Sequence, residues 1–152
     1  MVFKSRQKRV HNEIKLFINN ELLKQVECNK FLGVILDENL NWEYHINEVQ
    51  NKISKNIGVM SRVKYKLGTK ELYILYCSLI LPYLNYGVIL WGNNYKSSTG
   101  KIIRLQKKCV RIMNKKDYKN PSAPLFKQMR ILQFSDLVFV NTANMMYKVF
   151  PI

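Results

Sequence analysis

Asp37-Glu38 is the one adjacent acidic pair in the chain and the first place to look for metal or acid–base chemistry. Two neighbouring carboxylates can hold Mg²⁺. They fall, however, between an apolar run and a helical pattern, where a carboxylate more commonly accepts the first helical N–H groups, so capping is the stronger reading. The other aspartates, Asp117 and Asp136, also sit at expected turns or caps. Cys28, Cys77 and Cys109 lie far apart, form no CxxC pair and match no zinc spacing with His11 or His45. They read as reduced, mostly buried thiols of an intracellular protein. The six glycines are isolated, so no phosphate-cradling loop follows a strand. An enzyme needs convergent acid, base, nucleophile or metal groups. Read by its residues alone, the chain is a basic binding module with no catalytic equipment, metal ligand or cofactor.

What it holds in quantity is positive charge. Lys and Arg number 25 against 10 Asp and Glu in 152 residues, a formal charge of +15. Such an excess repels itself and seeks a polyanion, nucleic acid first and anionic lipid second. The cations are ordered. Lys101, Arg104, Lys107, Lys108, Arg111 and Lys115 project onto about one third of a helix circumference, and Ile102, Ile103, Leu105, Cys109, Val110, Ile112 and Met113 fill about half on the other side. A second basic side carries Lys52, Lys55, Arg62, Lys64 and Lys66. A single lysine-rich face is usually just solvated, whereas two in succession point to a phosphate-binding surface. Tyr65 and Tyr118 lie near these faces and could stack on bases, but packing at helix ends is the stronger expectation.

The elements that must position these side chains begin with β structure. Period-two alternation around Ile14, Leu16 and Ile18, an Asn19-Asn20 interruption, and a run from Leu22 or Leu23 to Val26 predict a hairpin. Phe31–Leu36 is a continuous apolar run ended by Asp37, which predicts a strand buried on both faces, with Gly33 admitting another backbone. Asn39 or Asn41 is expected to cap the helix that follows to about Lys66. Its stripe is Trp42, Ile46, Val49, Ile53, Ile57, Met60, Val63 and Leu67. Gly68 ends it and Thr69 caps the next.

That next helix contains Leu72–Trp91, uncharged and apolar all round, which something must cover on every side. It is long enough to cross a bilayer, at about 30 Å. Pro82 in mid-run, polar Ser78 and Asn85, and tyrosines spread along it favour a buried central helix kinked at Pro82 over a membrane span. Lys96–Gly100 reads as a linker. A basic amphipathic helix over 101–115, a short helix capped by Ser122 with Leu125, Phe126 and Met129, and a last helix capped by Ser135 complete the chain. The last one has the stripe Leu137, Val140, Ala143, Met146 and Phe150. The N-terminus has no long apolar region of a secretory signal. Met1-Val2-Phe3 reads as the end of a strand, as if the chain began inside a larger protein. An intracellular location, nucleus or cytoplasm, is expected. The fold class is mainly α with a small N-terminal antiparallel β element, the helices bundled around the central apolar one.

Four blocks carry a family resemblance. Phe31–Asp37 with Leu40-Asn41-Trp42, His45-Ile46 and Lys52-Ile53 is the first. Leu79–Gly87 with Trp91-Gly92 is the second, Leu105–Arg111 the third, and Pro124-Leu125-Phe126 with Ile131-Leu132 and Asp136-Leu137 the fourth. In order and spacing they resemble the region after the catalytic motifs in reverse transcriptases of non-LTR retrotransposons, the LINE or jockey-like elements. The resemblance implies that 1–37 is the end of the palm, with the hairpin and Phe31-Leu32-Gly33 in the position of a primer grip. It implies thumb-like helices over 38–95 and a C-terminal helical region packed on the thumb over 96–152. It also implies that Phe31, Leu32, Gly33, Lys52, Lys55, Arg62, Lys64 and the basic residues from Lys101 to Lys115 contact an RNA/DNA primer–template duplex. The partners implied are that duplex and the missing palm and fingers of the parent polymerase; membrane is not expected.

The family's polymerase chemistry depends on aspartates, including an Asp-Asp pair, that hold two metal ions. No Asp-Asp occurs here. The chain alone is therefore expected to be inactive, with no cofactor of its own where the parent would use Mg²⁺. The alternative is a non-catalytic basic interaction module that binds a protein partner or an anionic membrane surface.

Overall fold

The computed structural model describes residues 1–5 and 15–149. Ile14 and Phe150, expected in the first hairpin and the last helical stripe, lie outside them. The chain divides into two compact units, Met1–His45 and Ile46–Ile152. Seven helices and four short strands occur among the described residues, so the protein is mainly α with a small antiparallel β element near its N-terminus.

The first unit holds two hairpins. β1 (Phe17–Ile18) pairs with β2 (Glu21–Leu22) around Asn19-Asn20, both at positive φ (49° and 63°), as a tight two-residue hairpin turn requires. β2 ends at Leu22, short of the expected Val26. β3 (Cys28–Phe31) pairs with β4 (Val34–Asp37), from Cys28 opposite Asp37 to Phe31 opposite Val34. The apolar run Phe31–Leu36 is thus a reversal and not a single buried strand. Gly33 (φ 82°) supplies the turn at no steric cost, and Leu32 accompanies it at φ 45°. The β3 residues are exposed. Asp37 then fixes the exit from β4. Its Oδ1 accepts the N–H of Asn39 and of Asn41 (both 3.1 Å) and its Oδ2 that of Trp42 (2.9 Å). This carboxylate, not Asn39 or Asn41, satisfies the backbone ahead of the helix, and it holds Leu40 and Trp42 in left-handed conformations. Glu38 pairs with Lys4 at 3.0 Å.

α1 (Glu43–Val63) starts at the end of this unit and runs into the second. Ile46, Val49, Ile53, Ile57 and Met60 are all buried, the three-and-four spacing realised as one stripe. The uncharged stretch does not form one kinked helix. It breaks into α2 (Thr69–Leu79), α3 (Leu81–Asn85) and α4 (Val88–Trp91). Pro82 has no N–H for the Ser78 carbonyl, so it suits the start of a new helix and not the interior of a long one. At the break the Asn56 side-chain amide donates to the Leu79 carbonyl, satisfying a group the helix no longer reaches. Gly87 (φ 60°) makes the second break. Leu72, Tyr76, Ile80, Leu84, Val88 and Trp91 still fall on one buried line, but Ile74, Tyr86 and Leu90 are exposed. Only one side of the stretch is covered. No helix among the described residues is long and apolar enough to cross a membrane.

α5 (Lys96–Met113) includes the expected linker Lys96–Gly100. Local preference is overridden by anchoring. Thr99 is buried with its hydroxyl donating to the Tyr95 carbonyl (3.3 Å), and the Gln50 amide on α1 donates to the Ser98 carbonyl (3.1 Å). α6 (Ala123–Gln128) has Ser122 at its N-cap without a side-chain capping bond. α7 (Phe134–Val149) begins one residue before Ser135, so that serine is not its cap. α7 packs on α3, α4 and α5. Phe134 stacks on Trp91 with ring centroids 5.6 Å apart. Burial of α7 ends with Leu137 and Val138. Val140, Ala143 and Met146 are exposed because the helix outruns the elements it packs on, so the expected stripe is covered only at its start.

Candidate nucleic-acid interface

Two helices carry most of the candidate cations, and a hydrogen bond and a sulfur contact join them. Gln50 meets Ser98 near the start of each, and the Cys109 thiol lies 3.6 Å from the Met60 sulfur ten or so residues further along. Both contacts advance in the same direction, so α1 and α5 lie side by side and parallel. Each turns its apolar stripe inward, which leaves the other side for charge. Lys52, Lys55 and Arg62 share one side of α1, and Lys101, Arg104, Lys108 and Arg111 repeat at steps of three and four along α5.

Not all of them are equally free. Lys55, Arg62, Lys101, Arg104, Lys108 and Lys115 are exposed, and Lys107 is half-buried. Lys52 is already paired with Glu48 at 3.2 Å and lies 5.5 Å from the centre of the Tyr83 ring. Lys64 follows the end of α1 and sits over Tyr65 at 4.7 Å. Arg111 donates through Nε to the Asn120 carbonyl (2.8 Å), and its guanidinium lies 5.4 Å from the centre of the Tyr118 ring. Phe31, Leu32 and Gly33 form the tip of the β3–β4 hairpin, with Phe31 62% and Leu32 75% exposed. Tyr65 and Tyr118, expected to pack at helix ends, are 81% and 83% exposed instead.

Lys115 is outside α5. Asn114 ends the helix and Lys115 follows at φ 53°, its N–H bonding the Ile112 carbonyl while the Lys116 N–H bonds that of Arg111 (both 3.0 Å). That pair of bonds is a Schellman termination, with lysine where glycine is usual. The same device ends α6. Arg130 stands at φ 53°, with Arg130 N–H on Lys127 and Ile131 N–H on Phe126.

The residue that sequence reasoning missed is Gln106, on the apolar side of α5 and 1% exposed. Its amide nitrogen donates to the Tyr76 hydroxyl (3.0 Å) and the Leu132 carbonyl (2.9 Å), and its oxygen accepts the Phe134 N–H (2.8 Å). One side chain thereby ties α2, α5 and the start of α7, and fixes the helix that carries the cations. A polar residue interrupting an apolar face was the available signal. Among the described residues no group of three or more His, Cys, Asp and Glu could hold a metal ion. The geometry suits phosphate contact by spaced, exposed cations on rigid helices.

The chain is similar to known proteins of the kind that the sequence blocks resemble. The chain is 33% identical over 99 residues to an RNA-directed DNA polymerase from mobile element jockey of Drosophila melanogaster, covering 62% of this chain and 11% of that protein. It is 31% identical over 97 residues to the jockey polymerase of Drosophila funebris, covering 62% and 11%. It is 26% identical over 102 residues to a probable RNA-directed DNA polymerase from transposon X-element of Drosophila melanogaster, covering 64% and 11%. No protein-family model matches the chain, and no solved structure does. Its curated homologues are thus RNA-directed DNA polymerases of jockey and X-element non-LTR retrotransposons, and the chain corresponds to 11% of their length.

Proposed function

We propose that this chain supplies part of the primer–template binding surface of a non-LTR reverse transcriptase, with the exposed cations of α1 and α5 on backbone phosphates. The observation that carries the reading is the similarity to RNA-directed DNA polymerases over 99 residues. The parallel basic helices and the +15 charge support it. Phosphate contacts of this kind position a duplex and carry little sequence information. From Lys101 to Lys108 the rise along α5 is about 10 Å, enough to reach about two successive phosphates of one strand. The chain holds no Asp-Asp pair and three aspartates in all, so on this reading the carboxylates that hold the polymerase metal ions are supplied from outside it. Asp37 is committed to backbone N–H groups.

Titration of a labelled RNA–DNA duplex at several salt concentrations tests this. Binding is expected to weaken steeply with salt, and Lys101→Ala with Lys108→Ala is expected to flatten the log–log slope by about two. Absence of binding, or binding indifferent to salt, overturns the reading. A second reading, a module that docks a protein partner, is favoured by the end of α7, where Phe139, Met146, Tyr147 and Val149 are all exposed.

A further inference from the structure

We infer that Tyr118 is a base-stacking platform for an unpaired nucleotide, placed where the basic side of α5 ends. The inference rests on the nucleic-acid reading of α5 but assigns a different ligand, a single strand, to a different group, an aromatic ring. Tyr118 is 83% exposed, so its ring is open to a partner. The loop that carries it is held in place. The Schellman bonds at Lys115 and Lys116 fix its start. The Asn120 N–H closes a turn onto the Asp117 carbonyl at 3.1 Å, with Tyr118 at the second position of that turn. Arg111, reaching back from α5, holds the Asn120 carbonyl through Nε.

The same guanidinium lies 5.4 Å from the ring centre. A cation on one side polarises the ring and leaves the opposite side for a stacking partner. The charge around it selects that partner. Lys115, Lys116 and Lys119 are exposed neighbours, and Asp117 is the one acidic residue among them. A planar group linked to phosphates satisfies both features at once, since the base takes the ring and the phosphates take the lysines. A base inside a duplex is already stacked and cannot do so. The platform therefore reads single-stranded nucleic acid, such as template beyond the paired region, while the exposed cations of α5 follow the backbone.

The test compares a single-stranded RNA of about twelve nucleotides with a blunt RNA–DNA duplex of the same length. Tyr118→Ala is expected to weaken single-strand binding about ten-fold or more, with the salt slope unchanged, because stacking releases no counterions. Blunt-duplex affinity should stay within about two-fold, and Tyr118→Phe should bind like the parent. Tyr118→Trp gives an independent readout, since emission from a stacked indole should be quenched by the single strand. Equal loss for both ligands, or no loss for either, overturns the inference. So does polyglutamate binding with the same dependence on Tyr118, which would make the partner an acidic peptide. If the parent chain binds duplex with a salt slope and Tyr118→Ala changes nothing, the platform falls while the duplex reading stands. If it binds single strand alone in a Tyr118-dependent way, the reverse holds.

Discussion

Gln106 shows how much one buried amide can determine. Two of its three bonds are made to buried groups, the Tyr76 hydroxyl and the first N–H of α7, and the third to the part-buried Leu132 carbonyl. Gln106→Ala strands the two buried ones, and each buried orphan costs about 1–3 kcal/mol, less than additively where the site relaxes. A loss of about 3 kcal/mol in urea unfolding is the expected result, and Gln106→Glu should not restore it, because a carboxylate cannot donate to Leu132. Gln106→Leu with unchanged stability would show that the network matters little. Asp37 plays a comparable part in the first unit by taking three backbone N–H groups. Its acidic character was legible in the sequence, but its task was not, because which N–H groups converge on it depends on the left-handed turns at Leu40 and Trp42.

At the scale of elements, the ends of α5 and α6 are the informative places. Both terminate on a basic residue at φ 53°, a conformation that costs a side chain with a Cβ about 1–2 kcal/mol. Lys115→Gly relieves that strain but gives the unfolded chain more freedom, so the expected net gain is up to about 1 kcal/mol in thermal or urea unfolding. Lys115→Val at the same site should lose stability, since a β-branched residue tolerates this region least. Gly92 shows the opposite constraint. A Cβ there would come within 2.5 Å of the Val88 carbonyl of its own helix and 2.8 Å of Val138, so this glycine is set by the tight end of α4 and by its packing on α7. The apolar periodicity of α1 and α5 was legible residue by residue, because a repeating stripe records the surface it must cover. The broken course of 69–91 was only half legible. Pro82 announced a disturbance, but whether a helix bends or restarts depends on a partner for the Leu79 carbonyl, which Asn56 provides from 23 positions away.

Across the whole molecule, buried neutral acids make stability depend on alkali. Desolvation pushes the Cys109 thiol from 9.0 up to about 12, and pushes the Tyr76 phenol from 10.0 up to about 12 against an opposing pull from the Gln106 amide. Burial favours the protonated form in both, so their contribution is complete below the unfolded values and is lost as pH rises toward the folded ones. The urea midpoint is expected to hold up to about pH 9 and to fall from there toward pH 12, and Cys109→Ala should remove the earlier part of the fall. The same burial leaves Cys109 unreactive to thiol reagents near neutral pH, whereas exposed Cys28 should react readily. The sequence by itself determined the mainly α class, the two basic amphipathic helices, the Asn-Asn hairpin and the likeness to non-LTR polymerases. All of these are local or repeating patterns, which the chain carries wherever its neighbours stand. Only the tertiary structure decided that Lys96–Gly100 is helical, that α1 and α5 run parallel, and that Arg111 turns away from solvent to brace Tyr118. Each of those outcomes rests on a hydrogen bond or close contact whose partner is set by the path of the folded chain and not by the residue's own type.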